Sequence, residues 1–229
     1  MHVPYSSCGF VSSVLTFDKS ACKHALYGTG INLAREIVLN RHDRPDPEQI
    51  AATLGLPLFV KPNASGSSFG VTKVKRTEEL LPAIEEAFKE SDRVLIEEYI
   101  AGREISCGVM IAGGKEYIFP ITELISENEF FDYDAKYKGL AKEVTPAQLA
   151  PELVKKINRM TLDAYKALNC RGVVRIDFIV KGEDPYLIEI NSIPGMSAHS
   201  IIPQQARQIG MSVSELYDII IEDTYQCAK

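Results

Sequence analysis

Between Val173 and Asn191 the chain reads VVRIDFIVKGEDPYLIEIN, and two apolar runs around the turn-forming KGEDP predict a β-hairpin. Side chains alternate along a strand, so Arg175 and Asp177 share one face, as do Glu189 and Asn191. With the turn centred near Glu183, Asp177 falls opposite Glu189 and Arg175 opposite Asn191. Two carboxylates directly across a ladder repel. A divalent cation between them removes the repulsion, and Asp, Glu and an Asn carbonyl are the hard oxygen ligands that Mg²⁺ takes beside phosphates. The alternative is a solvated hairpin with scattered charges, but the apolar neighbours imply buried strands.

A chain of 229 residues has room for one large domain or two small ones with real cores. Its 45% apolar and 24% charged content is that of a globular protein. The net charge of −6, with no long basic run, argues against nucleic acid as a partner. No stretch approaches the ~20 apolar residues of a membrane span, and no signal peptide is visible. Cys8, Cys22, Cys107, Cys170 and Cys227 form an odd set without CxxC spacing. Reduced thiols of a cytoplasm explain them better than a disulfide framework or a zinc site. Without paired histidines or a Gly-x-Ser-x-Gly elbow, a nucleophile-and-histidine hydrolase has little support.

The first ten residues read as a lead-in without a capped element. Thr16 is expected to cap a helix from near Asp18 to Gly28. Strands are expected at 34–40, 56–62, 71–75 and 93–100, with helices at 46–54 and from a Thr77 cap to Phe88. Antiparallel strands follow around Gly113-Gly114, then an unpatterned stretch at 127–144. A helix opened by Pro151 and, after the hairpin, further helices from Ile201 complete the order. Antiparallel strands with helices outside them make an α+β or α/β chain in two lobes. The lack of regular strand–helix alternation disfavours a doubly wound sheet.

NASGSSFG, residues 63–70, joins two strands and offers backbone N–H groups from small residues, which can wrap phosphate oxygens. It also reads as a plain flexible tip. No Walker motif is present, and Lys61 precedes the loop on its strand. Lys19 lies in the first turn of a helix, where the dipole disfavours a cation unless an anion is near. An exposed lysine is the other reading. Glu97, Glu98 and Glu104 bracket a strand end, either as solvated edge residues or as acceptors for an adenine amine and ribose hydroxyls.

The stretches LTFDKS, FVKPNASGSSFGV, VLIEEYIAGREIS, FDYDAKYKG, GVVRIDFIV and YLIEINSIPGMSAHSIIPQQARQIGMS run in order from near Pro4 to the C-terminus. Jointly they are highly specific. Through them the chain resembles the D-alanine–D-alanine ligases of the ATP-grasp superfamily. The resemblance implies an α+β ATP-grasp fold, two lobes with nucleotide between them. It implies a lead-in over 1–17, a central lobe over 18–104, and a C-terminal lobe over 105–229 with a lid loop at 127–144. Lys19 and Lys61 match the lysines that hold ATP phosphates, under the loop around Ser67. Glu97 and Ile100 match positions facing adenine, and Glu104 the ribose acid. Asp177, Glu189 and Asn191 match the ligands of two Mg²⁺ (or Mn²⁺) ions. Arg175 and the backbone around Gly195 match the groups that steady the tetrahedral intermediate. Gly195 and Ser200 match positions near the carboxylate of the second D-alanine. In the lid, Lys136 matches a γ-phosphate contact and Tyr137 a partner of Ser67.

The implied reaction is ATP-dependent formation of D-alanyl-D-alanine for the peptidoglycan of a bacterial cell wall, through an acyl phosphate. Phosphoryl transfer is mostly positioning and charge neutralisation. The charge that grows on the carbonyl oxygen in the second step needs fixed donors. Tyr137 in its AKY setting favours a dipeptide over an ester product. The family also has an N-terminal domain of roughly a hundred residues, which carries a glycine-rich loop and an acid for the first D-alanine's amine. This sequence begins where that domain is expected to end. Nucleotide binding is therefore expected to survive better than turnover. Apolar surface around Val11 to Leu15 is a route to a homodimer. A ligase with another acceptor, such as D-lactate, and a nucleotide-binding module without turnover are the other readings kept.

Overall fold

The structure is a computed structural model that describes residues 3–66, 69–126 and 141–227. Two helices open it, α1 (Phe10–Phe17) and α2 (Lys19–Leu26), followed by the short β1 (Asn32–Leu33) and β2 (Glu36–Asn40). Next come α3 (Pro47–Leu54), β3 (Leu58–Pro62), β4 (Thr72–Val74), α4 (Leu80–Glu90) and β5 (Arg93–Glu98). The second half holds β6 (Arg103–Ala112), β7 (Lys115–Ile118), β8 (Thr122–Ser126), β9 (Ala141–Val144) and α5 (Pro151–Ala167). The hairpin β10 (Val174–Lys181) and β11 (Asp184–Asn191) precedes α6 (Ile201–Gln208) and α7 (Val213–Cys227).

These elements build two sheets. The smaller has the order β2-β5-β3-β4 and is antiparallel throughout. Period-two burial on β3 sends Leu58 and Val60 into a core shared with Ile50, Leu80 and Ile84 of the covering helices, and turns Phe59 and Lys61 the other way. The larger runs β1-β11-β10-β6-β8-β9, with β7 also on β6. One of its faces packs Cys107, Val109, Ile176 and Phe178 against α2 and α5. The other carries Met110 under Ile202, Ala206 and Leu216 of α6 and α7. The face of the smaller sheet that carries Phe59 and Lys61, and the end of the larger sheet that carries Asp177, Glu189 and Asn191, border a cleft where polar residues gather.

Some local expectations are corrected. The α2 cap is Asp18, whose carboxylate accepts from Ala21 N at 2.8 Å, rather than Thr16. A 3₁₀ turn at Thr77–Glu79 precedes α4, in place of one continuous helix from a Thr77 cap. The lead-in is also helical. Helix α1 inverts the usual polarity: Ser12 and Thr16 are buried while Phe10, Val11, Val14 and Phe17 are exposed. Its hydroxyls bind inward, Ser12 to the Asn169 carbonyl at 2.8 Å and Thr16 to Ser192 at 2.9 Å.

Between β5 and β6 the chain crosses from the smaller sheet to the larger at Gly102. A Cβ there would lie 2.7 Å from the Val180 carbonyl carbon and 2.8 Å from Ile179 Cγ2, with the Val180 oxygen closer still. Backbone cannot yield as a side-chain tip can. Gly102→Ala is expected to destabilise the protein by about 1–3 kcal/mol, read as a lowered denaturant midpoint. An unchanged midpoint would show that the crossing is looser than this packing.

Candidate functional site

The hairpin sets the site through one irregularity. Its turn is Gly182-Glu183, with Lys181 opposite Asp184 and Phe178 opposite Leu187. Continued without interruption, that register would place Asp177 opposite Ile188. A β-bulge beside Asp177 adds one residue to β11, so Asp177 faces Glu189 and Arg175 faces Asn191. The expected pairing is therefore present, produced by the bulge together with the turn.

The two acids are bridged. The Asn191 amide donates to Asp177 Oδ2 and to Glu189 Oε1, both at 3.1 Å. Arg175 adds a fork, with Nε 2.9 Å from Asp177 Oδ1 and a terminal nitrogen 2.7 Å from Oδ2. Ser106, buried on β6, donates its hydroxyl to Asp177 Oδ1 in a short hydrogen bond. Burial pulls the Arg175 guanidinium down, but Asp177, Glu189 and Glu104 outweigh it and hold its pKa above the ordinary value. This corner thus carries more negative charge than one arginine offsets.

Opposite this corner, the smaller sheet and α2 supply lysines. Lys19 Nζ donates to the Ser65 carbonyl at 2.7 Å, which ties the first turn of α2 to the glycine- and serine-rich loop. Lys61 pairs with Glu97 Oε2. Lys23, only 2% exposed, pairs with Glu97 Oε1 and Glu36 Oε2, both at 2.6 Å, and donates to the Ala34 carbonyl at 2.7 Å. Burial disfavours the Lys23 ammonium, yet Glu97 and Glu36 more than compensate and raise its pKa. Burial likewise pushes Glu97 up, and Lys61 and Lys23 outweigh it to leave the carboxyl below the ordinary range. Each Glu97 oxygen retains a lone pair beyond its lysine.

A cavity of about 780 Å³ lies between these groups. Lys19, Lys61, Glu97, Ile100, Glu104, Asp177, Glu189 and Asn191 all line it. Phe59, Val71, Leu124, Ile179 and Leu187 supply apolar walls. A slot with apolar sides, lysines and a carboxylate pair suits a flat aromatic ring joined to a polyanion. Arg175 stands beside the lining through its fork to Asp177. Gly195 and Ser200 lie outside the lining, in the loop between β11 and α6, where Ser200 is the cap of α6 and its hydroxyl is 2.8 Å from that of Ser197. Ser67, Lys136 and Tyr137, with residues 127–140 of the expected lid, lie outside the described residues.

Sequence reasoning passed over Lys23, Glu36 and Ser106. For Lys23 a signal existed: it stands four residues after Lys19 and so shares its helix face. The Ser106 contact crosses between strands distant in sequence and the Glu36 pair joins a strand to helix α2, and no local pattern marks either. Among the described residues no group of three His, Cys, Asp or Glu side chains converges on one point, so a cation here would be held by two carboxylates with the Asn191 amide oxygen. No described helix is long and apolar enough to cross a membrane.

Comparison with known proteins gives a consistent result. The family described as D-ala D-ala ligase C-terminus matches residues 26–222. A D-alanine–D-alanine ligase of Phocaeicola vulgatus is 47% identical over 224 residues, covering 97% of this chain and 69% of that protein. Among solved structures, the Bacillus anthracis D-alanine–D-alanine ligase complexed with ATP superposes with a TM-score of 0.85 at 33% identity, covering 99% of this chain and 72% of that one. The VanG D-Ala:D-Ser ligase of Enterococcus faecalis gives 0.87 at 34% identity, over 97% and 65%.

Proposed function

The chain belongs to the D-alanine–D-alanine ligase family, and on that premise we propose how its own residues perform ATP-dependent joining of two D-alanines, the step that supplies a cell-wall precursor. ATP occupies the cleft between the two sheets. Its adenine lies between the apolar walls near Ile100, with Glu97 and Glu104 as acceptors for the amine and the ribose. Lys19 and Lys61 hold the phosphates beneath the loop of residues 63–70. Ser67, Lys136 and Tyr137 are assigned by resemblance to the far side of the same phosphates.

Asp177, Glu189 and Asn191 are the groups proposed to hold Mg²⁺. The fit rests on their chemistry: two carboxylates close enough to share one amide donor, with net negative charge around them. When bound, Mg²⁺ supplies neutralisation of the phosphate charge. The lysines orient the γ-phosphoryl group toward the carboxylate of the first D-alanine, and transfer yields an acyl phosphate and ADP. The amine of the second D-alanine then attacks the acyl carbon. Arg175 and the backbone N–H groups near Gly195 offset the charge that develops on the carbonyl oxygen before phosphate departs.

One observation carries this reading: the bulge that turns Asp177 and Glu189 toward each other in the same cavity as Lys19 and Lys61. The test is ADP release by the purified chain with ATP and Mg²⁺, across D-alanine, D-serine, D-lactate and L-alanine. Release dependent on D-alanine, with D-alanyl-D-alanine as product, is expected. Release stimulated equally by L-alanine would overturn the assignment, and preference for D-serine as acceptor would move the chain toward the D-Ala:D-Ser type.

A further inference from the structure

Gln205 is fully buried in the second half of α6, on the face of the larger sheet that also carries Asp177. Its Nε2 donates to the Ser106 carbonyl and to Thr122 Oγ1, both at 3.0 Å, and its Oε1 accepts from Gly108 N at 3.1 Å. Thr122 Oγ1 in turn lies 2.7 Å from Thr145 Oγ1. Every polar atom of the side chain is used. A buried glutamine is costly unless satisfied, and helix docking alone needs only an apolar side chain.

The place it fills explains the residue type. Strand β6 pairs with β8 over Glu104 to Ser106 and with β7 from Val109 onward. The Gln205 amide completes the hydrogen bonding in the gap between these ladders. Gly108 leaves it room, since a Cβ there would come within 2.6 Å of Gln205 Oε1. Ser106, whose carbonyl Gln205 holds, is the residue whose hydroxyl grips Asp177. At its other end α6 begins at Ser200, where the loop of residues 192–200 terminates.

On the function proposed above, we infer that Gln205 is a positioning residue that sets the acceptor loop, residues 192–200, and the Asp177 carboxylate in one rigid frame. Its effect runs in two directions, through Ser106 to the carboxylate pair and along α6 to the loop. Losing the amide frees both at once, which a residue serving only one of them would not do.

The test uses the whole chain with Gln205→Met and, separately, Gly108→Ala, whose added methyl crowds Gln205 Oε1 and the tip of Ile202 on the same helix while keeping the amide. Two constants are read: the Michaelis constant for the second D-alanine, and the dissociation constant of Mn²⁺ from the ADP complex by electron paramagnetic resonance. Both are expected to rise about tenfold in each variant. Leu216→Ala, a cavity in the neighbouring core, serves as the control for lost stability and is expected to move neither. The inference is overturned if the two variants melt earlier, as Leu216→Ala does, with both constants at wild-type values, or if only one constant moves. Turnover of the wild-type chain on D-alanine separately reports on the proposed function, and the Mn²⁺ measurement needs no turnover.

Discussion

Asp177→Asn is expected to lower D-alanine-dependent ADP release by about a hundred- to a thousandfold, the range seen when a single group aimed at transferred or developing charge is removed. The substitution keeps shape and loses charge. It strips the Arg175 fork of its carboxylate and leaves the Ser106 hydroxyl and the Asn191 amide facing a neutral group. Because the side chain is isosteric, the fold should persist, and nucleotide binding measured without metal should be close to wild type. The Mg²⁺ concentration for half-maximal activity should rise along with the loss of rate. A variant with wild-type turnover and an unchanged Mg²⁺ requirement would remove Asp177 from the site.

Lys23→Met carries the largest expected loss of stability, about 3–5 kcal/mol, because it leaves the partners of a buried ion pair uncompensated. Glu36 and Glu97 would then lie together out of water, with Lys61 as the remaining lysine on Glu97. The pH dependence has a definite sign. In the wild type the Glu97 pKa is depressed, so its contribution is present above the ordinary value of 4.5 and is lost as pH falls through the folded value. The Lys23 pKa is raised above 10.5, so its contribution is present below 10.5 and disappears only as pH rises through the folded value. Between those limits this cluster holds stability level. In the variant the carboxylate pair takes up a proton on folding, so stability should fall as pH rises from 4.5 toward neutrality. Urea unfolding of both proteins at several pH values reads the difference, and parallel curves would refute it.

The parts of the site that could be read in advance were those carried by short-range patterns. Arg175, Asp177, Glu189 and Asn191 sit in one alternating hairpin, and Lys61 lies on the strand that feeds a loop of small residues. The hairpin reading was right at its acidic end for a reason alternation does not reveal. The real turn is one half-step from the expected centre, and the bulge restores the count. Helix α1 escaped because its hydroxyls face inward and its apolar side chains outward, the reverse of the usual signal. Ser106 and Gln205 act through partners on strands far away in sequence, as Lys23 does through Glu97. Their roles follow from tertiary packing, which periodicity cannot encode.

The extra residue in β11 also imposes a rule of parity. Adding or removing one residue between the turn and Glu189 would turn Glu189 and Asn191 into the oily interior, away from Asp177, and expose their greasy neighbours. A change of two would spare both surfaces. The length of this arm can therefore drift only in even steps while Glu189 and Asn191 stay on the face that borders the cleft.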